Sequence, residues 1–551
     1  MTSLVSWSRL FGLLLLPLLF FSAPRPAAAQ SPSYLVLAPD RGFLGNEEMR
    51  DAFAAFQTHE PGSALAFVTH EQTAANIDAA LRRLPTDTQT VVLPFFLSPH
   101  HALYQKARAA LADRSVQWAD PFGTSYLAEE VLFDRVAALA PPSGPHALVV
   151  VGYGAATADD ARGIQADLQP LVQRAGQKYG LDTTRVVVTY ARSAPAQQAA
   201  EARAAVAAQV QALAQTHDRV VVVPFHLGMR YTTMMASWAW TKRGLRGIEG
   251  LAIDGAGVLP HPNATRWLRR TATSYQTLTA DEVGVILVPH GSDYNWNERM
   301  RQSLAPLAQD YTVAHAFSMV DPYVVERAVR DLEAKGVKAA VMLRIFSLES
   351  SFEGTARYIL GLTPTYRGGM HGRFPSRIET HLALSTVGGL EDSPLFARAL
   401  LDRAQAISTN PAQETVILLA HGTGDDAANA HWMQNLRTLA DTMRARGGDA
   451  FRAIKVHTWR EDWPSKRKQT IPDIRQMVKE ASAGDGTALI IPARTTGQGR
   501  GEQYLEGLEY RYGTGFAPHP LFIAWLRAQV QAGIERLNTT PSPPATQQAA
   551  R

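Results

Sequence analysis

There is no cysteine anywhere in this 551-residue chain. That excludes disulfides, thiolate metal centres, iron–sulfur ligation and cysteine nucleophiles. It leaves the compartment open, because a cysteine-free protein is indifferent to redox poise. An excess of charge is equally scarce: Lys and Arg total 54 against 50 Asp and Glu. Without residues 1–29, which hold Arg9 and Arg25 and no acid, the balance is 52 against 50. So small a surplus provides no electrostatic footprint for nucleic acid. Beyond the N-terminus no segment reaches the ~18 uninterrupted apolar residues of a membrane-crossing helix. Several catalytic signatures are missing too. There is no G-x-S-x-G, no H-E-x-x-H and no G-x-G-x-x-G after a strand. These absences argue against a standard α/β hydrolase, a metalloprotease and a dinucleotide-binding fold.

What is present is an ordinary globular composition, 46% hydrophobic and 19% charged. The length allows about three to five domains at roughly 100–200 residues each. Residues 1–29 read as a signal peptide: Arg9, the apolar run Leu10–Phe21, then Ala27-Ala28-Ala29 before Gln30. The run is too short to span a ~30 Å hydrocarbon core. The expectation is a periplasmic or secreted protein with no stable membrane anchor after cleavage. Residues 538–551, rich in Pro, Thr, Ala and Gln, read as a disordered tail.

The chain repeats itself. Four apolar runs, Tyr34–Asp40, Ala147–Tyr153, Gly284–His290 and Thr415–His421, each lead into a turn and a helical pattern. A second run follows in each unit, ending at Pro94, Pro224, Arg344 and Pro492. From the end of the first run to the end of the second the spacing is 54, 71, 54 and 71 residues. The alternation describes a two-domain unit that duplicated, A-B-A′-B′. The divisions are a signal peptide at 1–29, A at 30–143, B at 144–277, A′ at 278–410, B′ at 411–537 and a tail at 538–551. Strands alternating with helices over ~130 residues predict small α/β domains with parallel sheets. In such sheets ligands bind outside the carboxyl ends of the strands.

Two loops per domain therefore carry the candidate chemistry. In A′ the first is His290-Gly291-Ser292-Asp293, with Asn297 opening the helix; in B′ it is His421-Gly422-Thr423-Gly424, with Asn429. An imidazole there is suited to binding a metal or taking a proton. The second loop of A′ offers Glu353 or Glu349 as a carboxylate partner for His290. An imidazole with a carboxylate suits a borderline divalent metal such as Fe, Co, Ni or Zn. The second loop of B′ offers Arg494 and Arg500, whose guanidinium groups receive carboxylates bidentately. In the first copy, Asp40 and Tyr153 replace the first-loop histidines. Its second loops carry His100-His101 in A, a candidate metal site, and in B His226, which reads as a packed residue. Met229, Met234 and Met235, near Trp238 and Trp240, read as a core stripe.

The runs Leu419-Ala420-His421-Gly422-Thr423 with Asn429, Val288-Pro289-His290-Gly291-Ser292, and Val91–His101 resemble the class II tetrapyrrole chelatases. These are the sirohydrochlorin cobaltochelatases and, more distantly, ferrochelatase. The resemblance covers most of residues 34–536. It implies four chelatase-like three-layer αβα domains with parallel sheets, arranged as two duplicated two-domain units with a cleft within each. It implies that His290 and His421 are the first catalytic and metal-binding histidines, that Glu353 stands where ferrochelatases place their glutamate, and that His101 or His100 is a later metal ligand. Arg494 and Arg500 would meet the macrocycle's carboxylates. In B′ the nearest acid, Glu502, is one residue out of frame. The implied function is a cobaltochelatase-like metal insertion or binding, of lyase class if catalytic. Co, Ni or Fe is the divalent metal and a tetrapyrrole the small-molecule partner, with no nucleic acid. The alternative is a non-catalytic periplasmic binder of metal or tetrapyrrole on the same fold. The chain departs from the family in three ways: no repeat holds a His–His pair, the in-frame His–Glu pair is in A′, and export is expected from the signal-like N-terminus.

Overall fold

The computed structural model describes residues 31–139, 145–191, 193–227, 244–253, 255–366, 374–496 and 500–539. The signal-like segment, the tail from residue 540 and the methionines at 229, 234 and 235 lie outside the described residues.

Stretches such as Val220–Val223 and Val416–Leu419 consist of side chains that pack well on a pleated surface. They become the buried centres of four separate four-stranded sheets. The first holds, in spatial order, β2 (Ser63–Val68), β1 (Ser33–Pro39), β3 (Thr90–Pro94) and β4 (Val116–Trp118). The second holds β6 (Thr183–Tyr190), β5 (His146–Ala155), β7 (Arg219–Pro224) and β8 (Leu251–Ala252). The third holds β10 (Thr312–His315), β9 (Val283–Pro289), β11 (Ala339–Ile345) and β12 (Ala383–Gly388). The fourth holds β14 (Ala453–Thr458), β13 (Glu414–Ala420), β15 (Thr487–Pro492) and β16 (Arg511–Tyr512). Every pairing among the described residues is parallel. Helices connect the strands, so the expected α/β architecture of three-layer domains is what the chain adopts.

One expectation needs correction. Tyr153 does not end its strand: β5 runs on to Ala155, with the register slipping between Tyr153 and Ala155. That slip turns the chain later than in the other three domains.

Strand alternation divides each sheet's apolar residues between two cores. In β1, Tyr34, Val36 and Ala38 face a core shared with the second domain, while Leu35 and Leu37 face a core of the first domain alone. The shared core holds Leu93 and Phe122 of the first domain with Val150, Val223 and Trp267 of the second. The third and fourth domains share a core in the same way, through Val341, Leu400, Leu418 and Trp525. Each pair is thus one packing unit.

The pairing contact is duplicated in detail. In the first pair Asp134 meets His261 Nε2 at 3.1 Å, and Arg135 donates to the carbonyls of Gly257 and Pro260. In the second, Asp402 meets His519 Nε2 at 3.5 Å, and Arg403 donates to the carbonyls of Gly515 and Pro518. His261 and His519 also cap the helices that follow, accepting from Asn263 N at 3.2 Å and Leu521 N at 3.1 Å. Across the pairs, buried Arg377 of the third domain reaches Glu129 at 2.9 Å and Glu130 at 2.5 Å in the first. Among the described residues no helix is long and apolar enough to cross a membrane.

Candidate functional site

The strand order places a topological switch point at the carboxyl ends of the two central strands of each sheet, where crevices form. In the third domain these are β9 and β11, and Pro289 lies in register with Ile345. His290 follows directly, exposed, and the second loop begins on the neighbouring strand.

His290 and His421 sit in loops of the same construction. The glycine after each takes positive φ, 79° at Gly291 and 77° at Gly422. Its carbonyl turns back on the imidazole: Nδ1 lies 2.6 Å from Gly291 O and 2.7 Å from Gly422 O. A carbonyl oxygen only accepts, so Nδ1 carries the proton and the lone pair of a neutral ring is on Nε2. Asn297 Oδ1 then receives Ser292 N at 2.8 Å, and Asn429 Oδ1 receives Thr423 N at 3.2 Å. Asp293 and Asp425 cap the helices through Trp296 N and Ala428 N. The loop of the first domain keeps the asparagine closure, with Asn46 Oδ1 receiving Arg41 N at 2.9 Å, but Asp40 stands in place of the imidazole.

The two rings differ beyond Nδ1. His290 Nε2 has no hydrogen-bond partner among the described residues. His421 Nε2 lies 3.1 Å from Asp462 Oδ2, and the ring sits between Trp432 and Trp463, with centroids at 6.3 and 6.0 Å. A metal at His421 would have to displace Asp462, which is mostly exposed.

Glu353 opens the helix Glu353–Ile359, next in charge to Arg344. Arg344 is fully buried and staples the second loop, donating to the carbonyls of Glu349 at 2.5 Å and Ser351 at 2.7 Å. Burial lowers the pKa of this guanidinium, and the charges of Glu353 and Glu349 oppose that. His290 thus follows β9 directly and Glu353 opens the helix after the loop that follows β11, but they make no hydrogen bond or ion pair with each other. Among the described residues no three His, Asp or Glu side chains are gathered to hold an ion. Arg494 already meets a carboxylate of its own domain, Glu461 at 2.5 Å, both largely buried. Arg500 opens a short helical turn, Arg500–Leu505, and its side chain lies outside the described residues, as do residues 497–499.

The strand-end edges of the third and fourth domains touch. Trp296 Nε1 donates to Thr496 Oγ1 at 3.1 Å, and His431 Nε2 meets Glu391 Oε2 at 3.2 Å. The first pair meets through packed rings. His101 and His226 are both buried and flank Tyr153, each at a centroid distance of 6.1 Å. Arg41 lies 3.8 Å over Tyr153. His101 Nδ1 accepts from Leu103 N at 3.1 Å, so its lone pair caps a helix. Burial, helped by Arg41, lowers both imidazoles to about 3. His100 turns to the second domain and meets Asp167 at 3.0 Å.

Sequence reasoning missed Asp462, Trp463 and Arg460. All three follow β14, whose half-exposed sequence Ala453-Ile454-Lys455-Val456-His457-Thr458 hides it. Arg460 donates to the carbonyls of Thr423 and Gly424 and pairs with Asp426, fixing the His421 loop from outside. The adjacent aromatic and charged residues of Trp459–Trp463 were the available signal.

No family model matches the chain, and no curated protein matches it. Among solved structures, it is similar to DR2241 from Deinococcus radiodurans, a multi-domain protein described as structurally similar to chelatases with two additional novel domains. The identity is 18%, the TM-score 0.33, and the match covers 46% of this chain and 56% of that one. A transcriptional activator of the comK gene from Bacillus halodurans aligns at 12% identity and a TM-score of 0.20, over 48% of this chain and 99% of that one. Neither likeness is close enough to bear on function.

Proposed function

We propose that the second pair of domains binds a tetrapyrrole in its crevice and handles a divalent metal, Co, Ni or Fe, as substrate. The observation that supports this reading is the paired His-Gly loop. In both domains the following carbonyl holds the Nδ1 proton; at His290 this leaves the Nε2 lone pair for a ligand, and at His421 Nε2 faces Asp462. In this reading His290 takes pyrrole protons and offers the metal, while Glu353 accepts protons or completes the coordination. Two protein donors suffice, because the macrocycle supplies nitrogens of its own. His421 contributes when Asp462 moves aside. Arg500 meets a carboxylate of the macrocycle, and Arg494 does so only by giving up Glu461. The N-terminal segment directs the chain out of the cytoplasm.

A second reading, a non-catalytic binder of metal or tetrapyrrole, is favoured for the first pair by the burial of His101 and His226 against Tyr153. The test is absorbance spectroscopy of the purified chain mixed with sirohydrochlorin or a porphyrin and Co²⁺, Ni²⁺ or Fe²⁺. Metal insertion predicts a progressive spectral change with turnover. Stoichiometric change without turnover supports the binder, and no change with any combination removes both readings.

A further inference from the structure

We infer that the third domain carries a separate ligand cavity, built for a small flat aromatic anion, along edge strand β10. The cavity measures about 530 Å³ and lies between the end of β10 and the helices Tyr294–Leu304 and Pro322–Ala334. That size falls within the range of small-molecule sites. None of its lining residues belongs to the loops of His290 or Glu353.

Its chemistry has two parts. One wall is aromatic: the rings of His315 and Phe317 lie parallel, 5° apart in plane and 5.7 Å between centroids. His315 Nε2 is buried without a hydrogen-bond partner among the described residues, which is costly unless a ligand satisfies it. Val313 and Val324 extend the apolar surface. The other part is charge: Arg301, Arg327 and Lys335 line the cavity against a single acid, Asp331. Lys335 is matched by Asp331 at 2.8 Å. Arg301 lies 5.0 Å over Phe317 and meets Glu298 at 3.2 Å. The Arg327 guanidinium makes no hydrogen bond or ion pair among the described residues. Burial, with Arg301 and Lys335 adding to it, lowers the pKa of His315, so the ring wall stays uncharged at neutral pH. A flat ring would cover the imidazole and phenyl faces while its carboxylate met Arg327.

The experiment uses the 551-residue chain without metal or tetrapyrrole, so its outcome is independent of the chelatase reading. The probes are 2-naphthoate, 2-naphthalenemethanol and inorganic phosphate, followed by calorimetry and by the imidazole resonances of His315. Saturable binding of 2-naphthoate that moves the His315 signals is expected. The neutral alcohol and the Arg327→Glu variant should each bind at least about tenfold more weakly, as loss of a charge-assisted contact requires. Arg327→Gln, which keeps the side chain's bulk, is the second variant and should weaken binding likewise. Equal affinity for the alcohol, unchanged affinity in a folded Arg327 variant, phosphate binding as tightly as naphthoate, or an unmoved His315 overturns the proposal.

Discussion

At positions 291 and 422 one missing Cβ decides the shape of the candidate site. A Cβ on Gly422 would lie 2.8 Å from Thr458 Cβ and 3.0 Å from Arg460 N, in a backbone conformation already unfavourable for L-residues. Gly336 has a similar φ of 80° but open space around it. The contrast separates backbone strain from crowding. Gly336→Ala should cost about 1 kcal/mol, and Gly422→Ala about 2–4 kcal/mol, because a packed loop must also shift. Urea unfolding of the two variants measures the difference, and equal losses would mean that the His421 loop yields freely. The His-Gly pairs were legible in sequence because two copies stand in equivalent frames. The tie from Nδ1 to the next carbonyl was not, since it depends on the loop doubling back.

Legibility at the level of elements followed burial. The central strands β1, β3, β5, β7, β9, β11, β13 and β15 are continuous apolar runs and announce themselves. The flanking strands do not. β4 is three half-buried residues and β8 and β16 are two each, too short for any period to show. β10 and β14 are only partly buried and show no clean period, so the loops after them stayed hidden, and with them Phe317 and Asp462. Burial also concealed the role of His101: an exposed-looking His-His pair supplies one ring to a helix cap and the other to Asp167.

Electrostatics at this scale gives a pH prediction. Glu333, on the helix Pro322–Ala334, accepts from Thr380 Oγ1 at 2.6 Å and meets Arg330 at 2.8 Å and His381 at 3.1 Å. Burial alone would raise its pKa, but the donors His381, Thr380 and Arg330 outweigh burial and lower it from 4.5 to about 2. A depressed native pKa contributes stability that is full above the unfolded value and drains away as pH falls toward the native one. Urea midpoints should therefore fall between pH 4.5 and 2, and Glu333→Gln should lose less across that window than the native chain. Parallel acid profiles for the two would contradict this.

The whole molecule is two pairs, each with its own shared core, joined by contacts that include a buried ionic cluster. Asp134-Arg135 and Asp402-Arg403 make the same contacts to their partner domains, which is the duplication written in three dimensions. Arg377 faces two largely buried carboxylates across the pairs, Glu129, which also pairs with Arg174, and Glu130, which has Lys178 at 3.8 Å. Removing Arg377 leaves buried Glu129 with Arg174 and buried Glu130 with Lys178 at 3.8 Å. Arg377→Ala should cost about 1–3 kcal/mol, as leaving buried acceptors under-satisfied does. It should also split the unfolding transition, because each pair retains its core. A single unshifted transition in calorimetry would show that the cluster does not join the halves.

The proposed metal chemistry rests on His290 and Glu353 acting together from the segments that follow β9 and β11. The most direct measurement is the initial rate of cobalt insertion into sirohydrochlorin, read by absorbance, for the native chain, His290→Ala and Glu353→Gln with matched circular dichroism. His290→Ala should abolish the change and Glu353→Gln should slow it by about 10²–10⁴-fold, as loss of a proton-transfer group does. Undiminished rates in both folded variants, or a native chain that leaves the spectrum unaltered, would contradict it.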